Sequence, residues 1–208
     1  MNQPHQFVDP YGLKVKFVRG GGHAYSSTYL TSFLADICPT VTLNDCGDEL
    51  KMDSIPFVLS PERMEICSNL LAMIQSDNTA YIFAYRNQLL RFPRTKIRGK
   101  DYTPGYLDPN GQPSTGVDVE IHINPYEFVD LPNENFAFPN SPNPGGTIRV
   151  SPQEIFAHEM GHASLYLQGK HPRLHINDLN ILDFENEAFK WEGYIRKFLG
   201  KDYIRIKH

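Results

Sequence analysis

Apolar side chains recur at steps of three and four residues in the segment that follows Ser60 and Pro61. That spacing puts them on one face of a helix and predicts an amphipathic helix here. The stripe consists of Met64, Cys67, Leu70, Leu71 and Ile74. Serine is a favoured N-cap residue and proline suits the first helical position, so the helix is predicted to begin at this pair. We expect the stripe to face the core.

A second helix is predicted from Pro152 to about Gln168. Ser151 and Glu154 have the S-x-x-E spacing of a capping box, in which each side chain bonds to the backbone N–H of the other residue. Gly169 follows as a typical C-terminal stop. Local chemistry alone therefore specifies where this helix begins and ends.

Two further helices are predicted at the ends of the chain. One covers residues 27–38 and is ended by Pro39. The last covers residues 184–199, with Asp183 as its N-cap and Gly200 as its stop.

β-Branched, aromatic or alternating runs predict strands over residues 13–18, 80–85, 117–124 and 147–150. The run over 117–124 alternates strictly, which predicts one buried face and one face toward solvent or a cleft. Clusters of Pro, Gly and Asn that favour turns surround it between residues 101 and 146. Together with the helices, these strands predict an α+β fold.

Length and charge narrow the classes of function. The chain has 208 residues, which fits one compact domain, and 20 basic against 24 acidic residues give a formal net charge of −4. A nucleic-acid-binding domain normally has a basic surplus, so we expect no nucleic-acid partner. No apolar run approaches the roughly 18 residues that span a bilayer, and the first residues lack a signal-peptide pattern.

The three cysteines, Cys38, Cys46 and Cys67, have no C-x-x-C spacing. This pattern predicts neither a disulfide framework nor a cysteine-type zinc site. Cys67 lies on the apolar stripe of its helix, which favours a plain buried thiol. The set fits a reducing, cytosolic environment best, with a Cys38–Cys46 bridge as the alternative.

The motif that carries chemistry lies inside the second capped helix. His158, Glu159 and His162 belong to an H-E-x-x-H sequence. Four residues is just over one helical turn, so the two imidazoles project from one face and can bind one metal ion, for which zinc is well suited. Glu159 can reach a water on that metal and act as general base. The alternative is a helix that happens to contain two histidines.

A catalytic zinc site needs a third protein ligand and an open position. The metzincin continuation would place Gly at position 165 and His at position 168, where this chain has Leu165 and Gln168. That class is therefore excluded. His171 and His175, in the loop that follows, are further candidates, although loop histidines are more often solvated. The other common arrangement takes a glutamate from a helix farther along the chain.

The last predicted helix offers such a glutamate at Glu185 or at Glu187. Glu185, Ala188 and Glu192 share one helix face, and the small Ala188 allows another helix to approach closely. Glu187 lies roughly 200° round an ideal helix from Glu185, so only one of the two can face the metal.

Two resemblances favour different ligands. The N-E-A sequence around Glu187 resembles the ligand segment of thermolysin-type enzymes, which implies Glu187. The E-N-E-A-F-K-W-E-G sequence that begins at Glu185 resembles the E-N-x-A-V-x-x-E-N pattern after H-E-x-x-H in bacterial toxin metallopeptidases. That pattern implies Glu185, which is the preferred ligand. The chain departs from it at Phe189 and Gly193, where Val and Asn are usual.

Four more side chains have candidate roles in substrate binding or in supporting the ligands. Glu192 either orients a metal ligand or pairs with Arg196, and the alternative for this pair is an exposed i, i+4 ion pair. His122, on the polar face of the strand over 117–124, lies either near the cleft or at the plain surface. Tyr194 is a candidate hydrogen-bond donor to the transition state.

The N-terminal sequence PHQFVDPYGL fits the motif P-x-x-x-x-D-P-x-G-L. It resembles the junction at the end of the rearrangement-hotspot (Rhs) core of large bacterial toxins. The fixed positions are Pro4, Asp9, Pro10, Gly12 and Leu13. In that family the chain is cut after this leucine, which implies that residues 1–13 belong to the Rhs core and residues 14–208 to a released toxin domain. The alternative is a Pro/Gly turn.

Residues 145–199 resemble H-E-x-x-H toxin domains and, more distantly, metallopeptidases injected by type III secretion systems. The resemblance implies a zincin-like α+β fold with an active-site helix, a ligand helix and a small antiparallel sheet. It implies a zinc cofactor held by His158, His162 and Glu185, with Glu159 as catalytic base. The implied role is a secreted toxin that reaches the cytoplasm of a target cell and cleaves a protein or peptide. Expected partners are the parent Rhs core and a cognate immunity protein.

Two other classes of function stay open at this point. Many Rhs C-terminal domains are nucleases, although the acidic net charge and the lack of a basic stripe argue against one here. The other is a non-enzymatic binding domain with a structural metal. Such a site is closed by four protein ligands, whereas the sequence readily offers three.

Overall fold

The computed structural model describes residues 15–18, 24–56, 58–85, 93–98, 116–132, 136–137, 146–168, 179–201 and 204–205, which have an α+β fold. The helices are α1 (Ala24–Ile37), α2 (Pro61–Ile74), α3 (Pro152–Leu167) and α4 (Leu179–Phe198). The strands are β1 (Val15–Phe17), β2 (Thr42–Leu43), β3 (Leu50–Lys51), β4 (Ala80–Ala84), β5 (Arg94–Ile97), β6 (Val119–Ile123), β7 (Val129–Pro132), β8 (Phe136–Ala137), β9 (Thr147–Val150) and β10 (Ile204–Arg205). None of these four helices has both the length and the apolar character to cross a membrane.

The largest sheet has the strand order β1-β4-β6-β5. β1, β4 and β6 run parallel, and β5 pairs antiparallel with β6 at the edge. The expectation of a small antiparallel sheet is therefore wrong for this sheet, although the pairs β2–β3, β7–β9 and β8–β10 are antiparallel. The chain between β1 and β4 contains α1 and α2, which supplies the long crossover that parallel pairing requires.

One face of the main sheet forms the core. Alternate side chains of β4 and β6 are almost fully buried, namely Ala80, Ile82, Ala84, Val119, Ile121 and Ile123. They join apolar residues from all four helices in one cluster. The strand predicted over 117–124 is confirmed. The opposite face of that strand is covered as well, because His122 is only 7% exposed, so the predicted open face is wrong at this residue.

The local start signals of α2 and α3 are confirmed. Ser60 accepts a hydrogen bond from the backbone N–H of Arg63, and Ser151 and Glu154 make both bonds of the capping box. The residues that α2 buries are Ile66, Cys67, Leu70, Met73 and Ile74. The predicted core position of Met64 is wrong, since this side chain is 41% exposed. The buried face of α2 is thus rotated slightly from the predicted stripe.

The outer helices begin earlier than predicted. α1 begins at Ala24, and α4 begins at Leu179 rather than at residue 184. Asp183 therefore lies inside α4, and its predicted role as N-cap is wrong. Because the helix extends upstream, Glu185 projects from the body of α4 and not from its first turn.

Cys38 and Cys67 form a disulfide that links the end of α1 to α2. Their Cα atoms are 5.6 Å apart, within the ordinary range for a bridge. The predicted free thiol at Cys67 is therefore wrong, and so is the alternative Cys38–Cys46 pairing. Cys46 is not part of this disulfide, and it is exposed. Because Cys67 is in a disulfide, it no longer supports the expectation of a reducing environment.

Candidate metal centre

α3 and α4 cross at two small residues, Gly161 and Ala188. A Cβ atom added to Gly161 would lie 2.7 Å from the Cα atom of Ala188, closer than real Cβ contacts. The close approach predicted at Ala188 is confirmed, and Gly161 is the partner that makes it so close. This crossing places the face of α4 that carries Glu185 against the face of α3 that carries the two histidines.

Three donor groups meet at this crossing. The Nε2 atoms of His158 and His162 are 3.1 Å apart. Oε2 of Glu185 lies 3.6 Å from Nε2 of His158, and Oε1 of Glu185 lies 3.7 Å from Nε2 of His162. Both histidines are buried, and the Glu185 side chain is 18% exposed. The structure therefore brings together the three residues that were predicted as the preferred ligand set.

The spacing of these atoms fits a tetrahedral metal. Zinc bonds of about 2.0–2.2 Å to nitrogen and oxygen correspond to ligand–ligand distances of roughly 3.3–3.6 Å. The nitrogen–nitrogen distance of 3.1 Å and the nitrogen–oxygen distances of 3.6 and 3.7 Å, which involve different oxygens of Glu185, lie close to that range. No fourth His, Cys, Asp or Glu joins the group within the described residues. Two imidazoles and one carboxylate thus suit a zinc ion that keeps an open position.

Glu187, the alternative ligand, lies elsewhere. Its Oε1 atom accepts hydrogen bonds from the indole of Trp191 over 3.2 Å and from the amide of Asn69 over 3.5 Å. These contacts tie Glu187 to α2 rather than to α3. The two glutamates therefore project in different directions, as the helical angle between them predicts.

Glu159 is buried between α3 and the edge of the main sheet. Its Oε2 atom lies 2.7 Å from the hydroxyl of Thr95 on β5, and its backbone carbonyl lies 3.0 Å from the same hydroxyl. Thr95 is itself 5% exposed. The sequence did not mark Thr95, because neither β5 nor its position beside α3 was predicted.

Glu192 and Arg196 are both fully buried, so the alternative of an exposed ion pair is wrong. An Oε2 atom of Glu192 lies 3.0 Å from Nδ1 of His158, on the ring edge away from the candidate metal. Arg196 donates to the other oxygen of Glu192 and, over 2.9 Å, to Oε1 of Glu154. Glu154 was predicted only as a helix cap, and its contact with α4 had no signal in the sequence.

His122 is not brought to this cluster. It lies on the face of the main sheet opposite α3, since Ile121 and Thr95 are paired on the α3 side. Its Nδ1 lies 2.9 Å from the hydroxyl of Tyr85, and its Nε2 lies 3.0 Å from a carboxylate oxygen of Glu120. Burial lowers the pKa of the His122 imidazole, and the hydrogen bond with Glu120 opposes that shift. Neither predicted location, the cleft or the plain surface, describes this residue.

Tyr194 also lies apart from the cluster. Its ring lines a cavity between α2 and α4. Burial raises the pKa of this phenol. In this position Tyr194 supports helix packing, and the predicted role in the transition state gains no support.

Several predicted residues lie outside the described part of the chain. They are the junction residues Asp9, Pro10, Gly12 and Leu13, and the loop histidines His171 and His175. The processing junction and the boundary at residue 14 stay predictions from the sequence.

Comparison of the chain with protein-family models, curated proteins and solved structures finds no match. Function therefore has to be inferred from the chemistry of the site itself.

Proposed function

We propose that this domain is a zinc-dependent endopeptidase with a zincin-like fold. The proposal is carried by the convergence of donor atoms from His158, His162 and Glu185, with the buried Glu159 next to the first of them. Three protein ligands with an adjacent glutamate are typical of a hydrolytic zinc site, whereas a structural site is closed by four. That difference favours an enzyme over a binding domain with a structural metal.

A peptide is proposed as the substrate because of the strand beside the site. β5 is the terminal strand of the main sheet in the described part of the chain, and Thr95 on β5 touches Glu159. The edge of such a strand can pair with the backbone of an extended peptide. A peptide bound in this way would run past the Glu159 carboxylate.

In the proposed hydrolysis, the zinc ion and the protein side chains would have different roles. A bound zinc ion would supply Lewis acidity toward water and toward a peptide carbonyl. The Glu159 carboxylate would take a proton from the attacking water and give it to the nitrogen of the leaving amine. The hydroxyl of Thr95 would hold that carboxylate in one direction while both transfers occur.

The proposed biological role is a secreted toxin that acts in the cytoplasm of a target cell. It is supported by the resemblance of residues 1–13 to an Rhs core junction and of residues 145–199 to toxin metallopeptidases. In that setting the parent Rhs core would deliver the domain, and a cognate immunity protein would protect the producing cell.

A comparison of the wild-type protein with Glu159→Gln tests the proposal. Glutamine keeps the size of the side chain and can accept the Thr95 hydrogen bond, but it cannot accept the proton. Both proteins, loaded with zinc, are incubated with a lysate of candidate target cells, and new protein N-termini are identified by mass spectrometry. We expect new N-termini with the wild type alone, at about one zinc per chain in both proteins.

Glu65→Gln provides the matched control, because Glu65 is an exposed glutamate that pairs with Lys190 away from the site. This variant should cleave like the wild type. Equal cleavage by Glu159→Gln and wild type, or full toxicity of Glu159→Gln in cells, would contradict the peptidase. Degradation of nucleic acid without new N-termini would favour a nuclease instead.

A further inference from the structure

A chain of buried charged side chains extends from the candidate metal centre to the first turn of α3. Glu154, Glu192 and Arg196 are each 0% exposed. The guanidinium of Arg196 donates to both carboxylates, through Nε to Glu154 and through Nη2 to Glu192. The other oxygen of the Glu192 carboxylate, Oε2, lies 3.0 Å from Nδ1 of His158. A helix cap is thereby connected to a candidate metal ligand.

The Glu154 carboxylate is held more firmly than a capping box requires. Its Oε2 atom accepts hydrogen bonds from the backbone N–H of Ser151 over 2.7 Å and from the Ser151 hydroxyl over 2.6 Å. The ammonium of Lys201 also contacts this oxygen. In an ordinary capping box the glutamate serves only the cap. Here its other oxygen anchors Arg196 on α4.

Burial of this set calls for an explanation other than stability. Charged groups lose their hydration when buried, and apolar residues of similar volume are often at least as stabilising. The charges of Arg196 and Lys201 balance those of Glu154 and Glu192, which makes burial tolerable. A planar guanidinium that binds two carboxylates also fixes the direction of both. A metal ligand needs neighbouring groups that hold its donor atom toward the metal.

We propose that Glu154 and Arg196 are positioning residues for the ligand His158 and act through Glu192. The inference rests on the proposed function, since it concerns the same metal centre. Glu192 accepts the Nδ1–H of His158, which leaves Nε2 of that ring as the lone-pair atom that faces His162. Arg196 keeps Glu192 in this direction, and Glu154 keeps Arg196 in place.

Zinc affinity, measured by competition with a chromophoric chelator, tests the proposal without any substrate. We expect Glu154→Gln and Glu192→Gln each to weaken zinc binding about 10- to 100-fold, the usual effect of removing a group that orients a ligand. Because Glu154 and Glu192 act on His158 through the same series of contacts, the double variant should lose little more zinc affinity than the worse single variant. Glu65→Gln, which removes an exposed glutamate, should bind zinc like the wild type.

A merely structural role of Glu154 predicts a different pattern. In that case Glu154→Gln would lower the melting temperature of the metal-free protein but keep the wild-type zinc affinity. Alternatively, its loss of zinc affinity would add fully to the loss in Glu192→Gln. Either result overturns the proposal. If Glu154→Gln fails to fold, Arg196→Lys replaces it, because lysine keeps the charge but loses the planar fork that binds both carboxylates, and the same loss of affinity is expected.

The tautomer of His158 gives a second readout. Nitrogen-15 NMR of the zinc-loaded wild type should show a protonated Nδ1, and the variants should show a weakened hydrogen bond at that atom. A protonated Nε2 in the wild type would overturn the proposal. A wild-type protein that binds no zinc would overturn the proposed function itself. Variants that bind zinc as tightly as the wild type would overturn only the positioning role.

Discussion

The hydroxyl of Thr95 lies 2.7 Å from Oε2 of Glu159, so a residue of the edge strand holds the candidate general base on α3. Thr95 is directly paired with Ile121 of β6, one of the fully buried residues of the main sheet. The position of the Glu159 carboxylate is therefore set by the hydrogen-bond ladder of the sheet as well as by its own helix.

Thr95→Val removes this donor while keeping the shape of the side chain. Loss of a hydrogen bond to a charged group costs about 1.5–3 kcal/mol, so kcat/KM for a cleaved peptide should fall about tenfold or more. Zinc content should stay at one per chain, because the Thr95 hydroxyl bonds to Glu159, which is not one of the three candidate ligands. Thr95→Ser serves as the control and should keep most of the activity. An unchanged kcat/KM in the valine variant would show that the hydroxyl does not act on Glu159.

The crossing of α3 and α4 predicts a strong effect of one methyl group. Gly161→Ala places a Cβ atom 2.7 Å from the Cα atom of Ala188, so the helices must separate. We expect a loss of about 1–3 kcal/mol in the free energy of unfolding. Zinc binding should weaken as well, since Glu185 moves away with α4. Chemical denaturation and zinc titration measure the two effects.

Gly193→Ala is the matched control for that substitution. It adds the same methyl group to α4 at a position where no atom of the described residues lies within 4 Å. Helix propensity favours alanine by up to about 1 kcal/mol, so stability should stay equal or rise. Equal stability of the two variants would contradict the tight crossing at Gly161.

His122 predicts a dependence of stability on pH. Because burial lowers its pKa in the folded protein, the fold favours the neutral imidazole. The contribution of His122 is therefore complete above the unfolded pKa of about 6.5 and is lost as the pH falls through the lower folded value. The difference in unfolding free energy between the wild type and His122→Gln should shrink from pH 7.5 toward pH 5. A difference that grows on acidification would show that the folded pKa is raised.

Local signals in the sequence predicted the parts of the site that lie on one helix. The bonds between Ser151 and Glu154 involve residues three apart, and His158 and His162 are brought to one face by the helical period alone. The direction of Glu185 follows from the same geometry once α4 forms. Such features depend on neighbours within a few residues and need no knowledge of the tertiary fold.

Long-range features could not be predicted in this way. Hydrophobic alternation tells which side of a strand is buried, but it does not tell which strand pairs with it, so the parallel order of the main sheet was missed. The Cys38–Cys67 bridge joins residues 29 positions apart, and the contact of Glu154 with Arg196 spans 42 positions. Burial of His122 depends on what covers the far face of the sheet, which no local pattern records.

The account depends most directly on zinc held by His158, His162 and Glu185. The test is the zinc content per chain, measured after dialysis, of the wild type, Glu185→Ala and Glu187→Ala. The account predicts about one zinc per chain in the wild type and in Glu187→Ala, and little or none in Glu185→Ala. Zinc that is lost only from Glu187→Ala, or that is absent from the wild type, would contradict it.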